Sequence, residues 1–180
     1  MKQLSHVKKS ILTAVCIALC VVLPMAFHSI PNAGAIFCPM HIPILLCGLI
    51  CGWPFGLLCG IAGPVLSSLL TQMPLLAKLP ALATEMAVYG IATGVLMRLI
   101  HTGKPKADVY LSLIFSMLLG RIAAGASKAL IFAAGEYSMQ AWITGHFLTA
   151  WPAFLIHLTL VPIVYFALER AKLIPKRYSA

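Results

Sequence analysis

Long apolar runs recur along this chain at the length of a membrane-spanning helix, with little sequence between them. The chain has 180 residues, of which 61% are hydrophobic and 9% are charged, whereas about a quarter of the residues in a soluble domain are charged. A helix needs roughly 20 apolar residues to cross a bilayer, so this length holds about six spans and no separate soluble domain. We therefore predict an all-α membrane protein, a six-transmembrane-helix bundle in which residues 1–180 form a single domain.

The predicted spans are separated by polar or proline-containing loops. They cover Ser10–Phe27, His41–Cys51, Phe55–Leu70, Ala81–Ile100, Val109–Ala134 and His146–Leu168. We expect the first span to kink or end near Pro24. The segment Phe37–Pro64 is almost wholly apolar, yet it contains four prolines and five glycines. A simple anchor needs neither residue type, so this segment predicts sharp turns and close packing, with a reversal at Gly52–Gly56 and an interruption of the third span at Gly63-Pro64.

Basic residues are concentrated in three segments that share one side of a six-span topology. The N-terminal segment, the loop after the fourth span and the C-terminal tail hold ten of the thirteen Lys and Arg residues. The loops on the opposite side hold only Lys78. Because cytoplasmic segments carry an excess of Lys and Arg, we predict cytoplasmic N- and C-termini. The net charge of +9 follows mostly from this topology, and it does not predict a nucleic-acid partner.

Three charged residues fall inside predicted spans, where charge is costly and usually functional. They are Glu85 in the fourth span and Arg121 and Lys128 in the fifth. Arg121 and Lys128 are two helical turns apart and share a face. Ala124 and Gly125 lie between them and leave room for another helix or for a ligand. At ~1.5 Å per residue, Glu85 and Arg121 lie at similar depth, which predicts a polar pocket in the outer half of the membrane.

Two other helix faces add polar groups separated by small side chains. Tyr89 lies on the face of Glu85, and His146 and His157 share a face of the sixth span. The candidate substrate-binding residues are therefore Glu85, Tyr89, Arg121, Lys128, His146 and Trp151. We predict no catalytic residue and no cofactor.

Structural roles stay open for the charged residues. Glu85 and Arg121 could simply pair and hold two helices together, since buried charges are usually paired. Lys128 would then be the cation suited to an anionic substrate group. Alternatively, Lys128 extends to the external interface, toward Glu136.

The histidines and aromatic residues also have structural interpretations. His146 could be an interfacial residue, and His157 is typical of a core histidine with a satisfied hydrogen bond. Trp142, Trp151 and Tyr137 are typical of an aromatic belt at the membrane interface, although a loop aromatic could also cover a bound ring.

The six cysteines lie mostly within apolar runs and are interpreted as small buried hydrophobic residues. The pair Cys16 and Cys20 and the pair Cys47 and Cys51 have helical i, i+4 spacing. No His or carboxylate nearby completes a metal-ligand set, so we predict no metal site.

Two glycine patterns predict close contact between helices. Gly52, Gly56 and Gly60 form GxxxGxxxG, and Gly90 and Gly94 form GxxxG. This spacing lets helix backbones approach closely.

In layout, the chain resembles the substrate-binding S-components of energy-coupling-factor (ECF) vitamin transporters. The resemblance covers nearly the whole chain: its size, six spans, cytoplasmic basic termini, and an AxxxA pair at Ala14 and Ala18 on the first helix. It rests also on "PMHIPILLCGLICGWPFGLLCGIAGPVLSSLL", followed by a span that carries "EMAVYGIATG". The longer segment resembles the branch that includes pantothenate-type members.

The resemblance implies a protein of the bacterial plasma membrane that binds a vitamin or related micronutrient from outside. Such proteins have no ATPase of their own and dock onto a transmembrane coupling subunit that carries two ABC ATPases. It further implies that Ala14 and Ala18 carry the docking contact, and that the outer loops and the outer parts of spans four to six hold the substrate.

Three other functions are less consistent with the sequence. A self-sufficient secondary transporter often has broken helices in both halves of the chain, whereas the interruptions here lie only in the first half. A membrane enzyme could use Glu85, His146 and His157 as acid–base groups, but the chain lacks H-E-x-x-H, G-x-S-x-G and paired aspartates. A purely structural subunit would not need Arg121 and Lys128 in a span.

Overall fold

The computed structural model describes residues 4–27, 33–132 and 138–178, and these residues form helices and turns without a β-strand. Six segments of the described chain are long and apolar enough to cross a membrane. This finding confirms the all-α class and the six-helix bundle. Glu136 and Tyr137, named above as an ion-pair partner and an aromatic-belt residue, lie outside the described residues.

Eight α-helices lie within the described residues, and six of them form the bulk of the bundle. The α-helices are α1 His6–Ala26, α2 Ala33–Phe37, α3 His41–Cys51, α4 Trp53–Thr71, α5 Leu79–Leu99, α6 Pro105–Ser127, α7 Met139–Ile143 and α8 Trp151–Arg170. A short 3-10 turn precedes α5, and π-helical turns at Lys128–Phe132 and Thr144–Leu148 follow α6 and α7.

The second span begins and ends where the sequence predicts, and the first ends close to Pro24, which lies in the last turn of α1. The predicted interruption at Gly63-Pro64 is wrong, because α4 continues through both residues. A proline inside a membrane helix is tolerated when neighbouring helices support it. Here Pro64 is buried, and a Cβ at Gly63 would lie 2.8 Å from the Cys20 Sγ atom of α1.

The predicted start of the sixth span at His146 is also wrong. α8 begins at Trp151, and His146 lies in the π-helical turn before it. Pro152 is the second residue of α8, and it lacks the N–H group that would continue the preceding helix. The short helix α7 also precedes α8. Ser138 caps its first turn, because the Ser138 hydroxyl accepts a hydrogen bond from the Ala141 N–H group at 3.1 Å.

Glycines bring α4 and α5 into backbone contact. A Cβ at Gly56 would lie 2.3 Å from the carbonyl oxygen of Gly90, and a Cβ at Gly60 would lie 2.4 Å from that of Met86. Side chains are therefore excluded along this line of contact. The reversal between α3 and α4 needs only Gly52, whose φ of 90° lies in the left-handed region. These contacts confirm the close packing that the GxxxG patterns predict.

Five of the six cysteines are buried, as the sequence predicts, and all six are free thiols. The Cys51 thiol donates to the carbonyl of Lys9 on α1 at 3.7 Å. Cys47 lies 3.5 Å from the hydroxyl of Thr13 on the same helix. These small side chains fill the contact between α1 and α3.

An ion pair closes the end of the bundle that carries the start of α1 and the C-terminal tail up to Tyr178, here called the termini end. Asp108, in the first turn of α6, is fully buried and accepts hydrogen bonds from the Thr102 hydroxyl at 2.6 Å and backbone N–H at 2.8 Å. Its other oxygen accepts from the side chains of Arg177 and Tyr178. Arg177 also donates to the carbonyl of Ile100. The C-terminal tail is thereby attached to the loop between α5 and α6.

We expect Gly56→Ala and Gly90→Ala to lower stability by about 1–3 kcal/mol each, the usual cost of overpacking a core. The physical reason is that the new Cβ would meet backbone atoms, which cannot rotate away. Thermal unfolding of the detergent-purified protein measures the effect. Gly145→Ala is the matched control, since a Cβ there meets nothing within 4 Å. Unchanged melting of both variants would contradict the close contact.

Candidate functional site

Six polar side chains from different parts of the bundle meet in one region, here called the polar cluster. Its members are His41, Glu85, Arg121, Lys128, His146 and His157. They come from α3, α5, α6 and its π-helical continuation, the π-helical turn before α8, and α8 itself. All except Lys128 are buried. The cluster therefore links most of the helices through contacts that no single stretch of sequence contains.

Glu85 lies at the centre of the polar cluster. Its Oε1 atom is 3.7 Å from Nε2 of His41 and 3.8 Å from Nδ1 of His146. Among the described residues, these two histidine rings lie within ion-pair distance of the Glu85 carboxylate, and the Arg121 guanidinium does not. The direct Glu85–Arg121 pair that the sequence left open is therefore replaced by a contact through histidine.

His146 connects the two cations of the cluster. The Arg121 guanidinium donates a hydrogen bond from Nη1 to the backbone carbonyl of His146. The Lys128 Nζ atom lies 3.3 Å from Nε2 of the His146 ring. Because a lysine ammonium only donates hydrogen bonds, Nε2 accepts this one and Nδ1 carries the proton that faces Glu85. Lys128, His146 and Glu85 thus form one chain of polar contacts.

Arg121 is held by an aromatic wall. Its side chain is only 1% exposed, and its guanidinium carbon lies 4.2 Å from the centre of the Phe154 ring. Cation–π contacts of this kind are stabilising, most of all away from water. Trp142 donates from Nε1 to the Arg121 carbonyl at 3.0 Å. Arg121 therefore has a fixed position, while its Nε and Nη2 groups have no hydrogen-bond partner among the described residues.

Two stacked histidines form another side of the cluster. The rings of His41 and His157 are 5.5 Å apart and nearly parallel, and Tyr89 packs its edge on His41 at 4.9 Å. His157 Nε2 lies 3.2 Å from the carbonyl oxygen of Cys38. The Nδ1 atoms of both histidines are buried and have no hydrogen-bond partner in the described chain. Buried polar atoms are normally hydrogen-bonded, so these atoms can receive polar groups of a bound molecule.

The small residues of α6 provide space for aromatic rings of the chain itself. A Cβ at Gly125 would lie 2.4 Å from Nε1 of Trp142, and a Cβ at Gly120 would lie 2.7 Å from the Tyr89 ring. The room predicted beside Gly125 is thus occupied by Trp142, a side chain that the sequence assigned to an interface belt.

Five of the six candidate substrate-binding residues come together. Glu85, Arg121, Lys128 and His146 are in the polar cluster, and Tyr89 contacts it through His41. Trp151 does not join them, because it is the first residue of α8 and its side chain is 59% exposed.

The candidate residues predicted from the sequence leave out four residues around the site: His41, His157, Phe154 and Trp142. His41 had a usable signal, since it is a lone polar residue at the start of a very apolar helix. Phe154 had none, because one phenylalanine among many apolar residues is not distinctive.

The chemistry available in the cluster is recognition of polar and anionic groups. An arginine fork with two donors available binds a carboxylate in a bidentate way. In the described part of the chain, no group of three or more His, Cys, Asp or Glu residues is arranged to hold a metal ion.

Comparison with known protein families identifies one family. A sequence model of the ECF transporter, substrate-specific component family matches residues 8–165. No curated protein matches the chain. The matched range contains all six helices that could span a membrane, except the last turn of α8 and the first residues of α1. Such components bind small-molecule substrates in the membrane and work with an ECF module, and the family is one of transporter components rather than enzymes. The chain belongs to the ECF transporter substrate-specific component family.

Proposed function

We propose that this S-component binds an anionic, pantothenate-like vitamin or related micronutrient from outside the cell, with the whole chain acting as one binding domain. It delivers the vitamin through a transmembrane coupling subunit and two ABC ATPases in the bacterial plasma membrane. Both termini face the cytoplasm on this proposal, in agreement with the excess of basic residues there.

One observation carries the choice of an anionic substrate. Arg121 is almost completely buried, yet two of its nitrogen atoms, Nε and Nη2, have no hydrogen-bond partner among the described residues. A buried guanidinium without a directly bonded carboxylate is costly, and the carboxylate of Glu85 is in contact with two histidines instead. A substrate carboxylate would satisfy both donors at once, in the bidentate geometry that arginine favours.

The histidine pair supports a substrate with further polar groups. The Nδ1 atoms of His41 and His157 lack partners in the described chain, and their rings stack at 5.5 Å. Neutral imidazole nitrogens accept or donate one hydrogen bond each. A pantothenate-like molecule, with hydroxyl and amide groups beyond its carboxylate, matches this arrangement of one charged and two neutral hydrogen-bonding positions.

The outer face of α1 supports a docking role for the AxxxA pair. This helix buries only Thr13, Cys16 and Cys20, and both Ala14 and Ala18 are exposed. Exposed small residues on a membrane helix allow the backbone of a second helix to approach. We assign the contact with the coupling subunit to this face.

The proposed function is tested by ligand-induced stabilisation of the purified protein. A ligand that binds only the folded state raises its stability by about 2.7 kcal/mol at 100 times its Kd. We expect pantothenate, within a panel of vitamins, to raise the melting temperature. Pantothenol, in which an alcohol replaces the carboxylate, should have little effect. A panel without any shift, or equal shifts with both compounds, would contradict an anionic vitamin site.

We expect Arg121→Gln to weaken binding of the anionic ligand by about 30-fold or more, since loss of a buried charge partner costs at least about 2 kcal/mol. Arg121→Lys should also weaken binding, because lysine keeps the charge but loses the fork. Equilibrium binding to the purified variants measures both effects. Arg170→Gln is the control, since Arg170 is exposed at the other end of α8. Equal affinity in all variants would remove Arg121 from the site.

We expect Ala14→Leu and Ala18→Leu to abolish most transport while leaving substrate binding by the isolated protein intact. The larger side chains would hold the partner helix away from α1. Uptake by cells and binding by the purified protein are measured in parallel. Ala167→Leu, at an exposed position of α8, makes the same change outside the docking face. Normal uptake by both α1 variants would contradict docking through this face.

A further inference from the structure

The termini end contains a cavity of about 310 Å³ that is separate from the polar cluster. It is lined by the start of α1, the reversal between α3 and α4, the last turns of α5, and the C-terminal tail. Glu85 and His157 lie in the opposite halves of α5 and α8 from the lining residues Arg98 and Tyr165. The cavity therefore takes no part in the proposed vitamin site.

The charged lining of this cavity is mainly basic. Lys9, Arg98 and Lys176 line it, and in the described chain none of them forms an ion pair with a carboxylate. Arg177 also lines it, but its charge is matched by Asp108. Glu169, the carboxylate of α8, is not among the lining residues. Three cations therefore line the cavity, and no carboxylate lies among its described lining residues.

The remaining wall of the cavity is apolar and partly exposed. Trp53 is 42% exposed beside it, and Phe55 packs under the Nζ atom of Lys9 at 5.9 Å. Tryptophan at a helix end is typical of the membrane–water interface. The cavity thus places positive charge on its polar side and aromatic and aliphatic surface beside it, at the level where a bilayer has its headgroups.

We propose that this cavity binds the headgroup of an anionic phospholipid from the leaflet at the termini end. Basic pockets between membrane helices recognise such headgroups by charge. The phosphate interacts with Arg98, Lys176 and Lys9, and the glycerol region and upper acyl chains lie against Trp53 and Phe55. A free phosphate would satisfy the cations but would leave the apolar wall without a partner.

Short-chain lipids added to the purified protein in a neutral detergent test this proposal. Dioctanoyl phosphatidylglycerol is titrated, and bound lipid is measured by native mass spectrometry and by melting temperature. Each basic side chain near an anionic headgroup contributes roughly fivefold in affinity. We therefore expect Arg98→Gln/Lys176→Gln to weaken binding about 25-fold. Lys104→Gln/Lys106→Gln removes the same charge from exposed positions outside the cavity and should change the affinity by less than about twofold.

Further measurements distinguish the lipid from other anions as the ligand. They also distinguish loss of the binding charges from loss of folding. Arg98→Lys/Lys176→Arg keeps the charge and should retain binding, and dioctanoyl phosphatidylcholine and inorganic phosphate should bind much more weakly than phosphatidylglycerol. Equal losses in the two Gln pairs, or binding of phosphate as tight as that of the lipid, would overturn the proposal. A third result would also overturn it: Arg98→Gln/Lys176→Gln keeps full lipid binding but loses transport. The basic side chains would then bind an acidic segment of a partner protein and not a lipid. Vitamin binding at the polar cluster is unaffected by any of these outcomes.

Discussion

Backbone contact between α4 and α5 fixes the geometry on which the candidate site depends. With no side chain at Gly56 or Gly90, the helices meet so closely that a single added carbon would lie 2.1–2.3 Å from a carbonyl oxygen. Contacts this close cannot slide, because protein interiors are packed at the density of organic crystals. They hold α5 at one depth beside α3 and α4, and Glu85 is next to Met86, whose carbonyl lies in the same line of contact. The distance between Glu85 and His41 of α3 follows from this packing.

The polar cluster shows how a bundle with few charged residues accommodates them away from water. Glu85 is shared between two histidines, and Arg121 is supported by a carbonyl, an aromatic ring and a tryptophan bonded to its backbone. This support orients the guanidinium, and within the described ranges it leaves the Nε and Nη2 donors unused. A preorganised group with donors to spare is the arrangement that favours tight binding of a small anion, because little ordering remains to be done when the ligand enters.

Charged side chains have different partners at the two ends of the bundle. At the termini end, Asp108 and Arg177 satisfy each other and attach the tail, and the remaining cations face a cavity or solvent. In the polar cluster, the charges are distributed over histidines and aromatic rings. The first arrangement closes the fold and attaches the C-terminal tail. The second leaves polar atoms of Arg121, His41 and His157 without a hydrogen-bond partner among the described residues.

The sequence by itself determined the class of fold, most helix positions and the residues at which charge enters the membrane, because apolar run length and the cost of buried charge are local properties. It also predicted the close helix packing at the glycines of α4 and α5. Only the tertiary structure decided the partners: histidines rather than Arg121 for Glu85, Trp142 rather than a ligand beside Gly125, and an exposed position for Trp151. The continuous α4 and the late start of α8 were decided in the same way, since the effect of a proline depends on the helices around it. Partners separated by many residues depend on helix rotation and depth, which are set by packing in three dimensions.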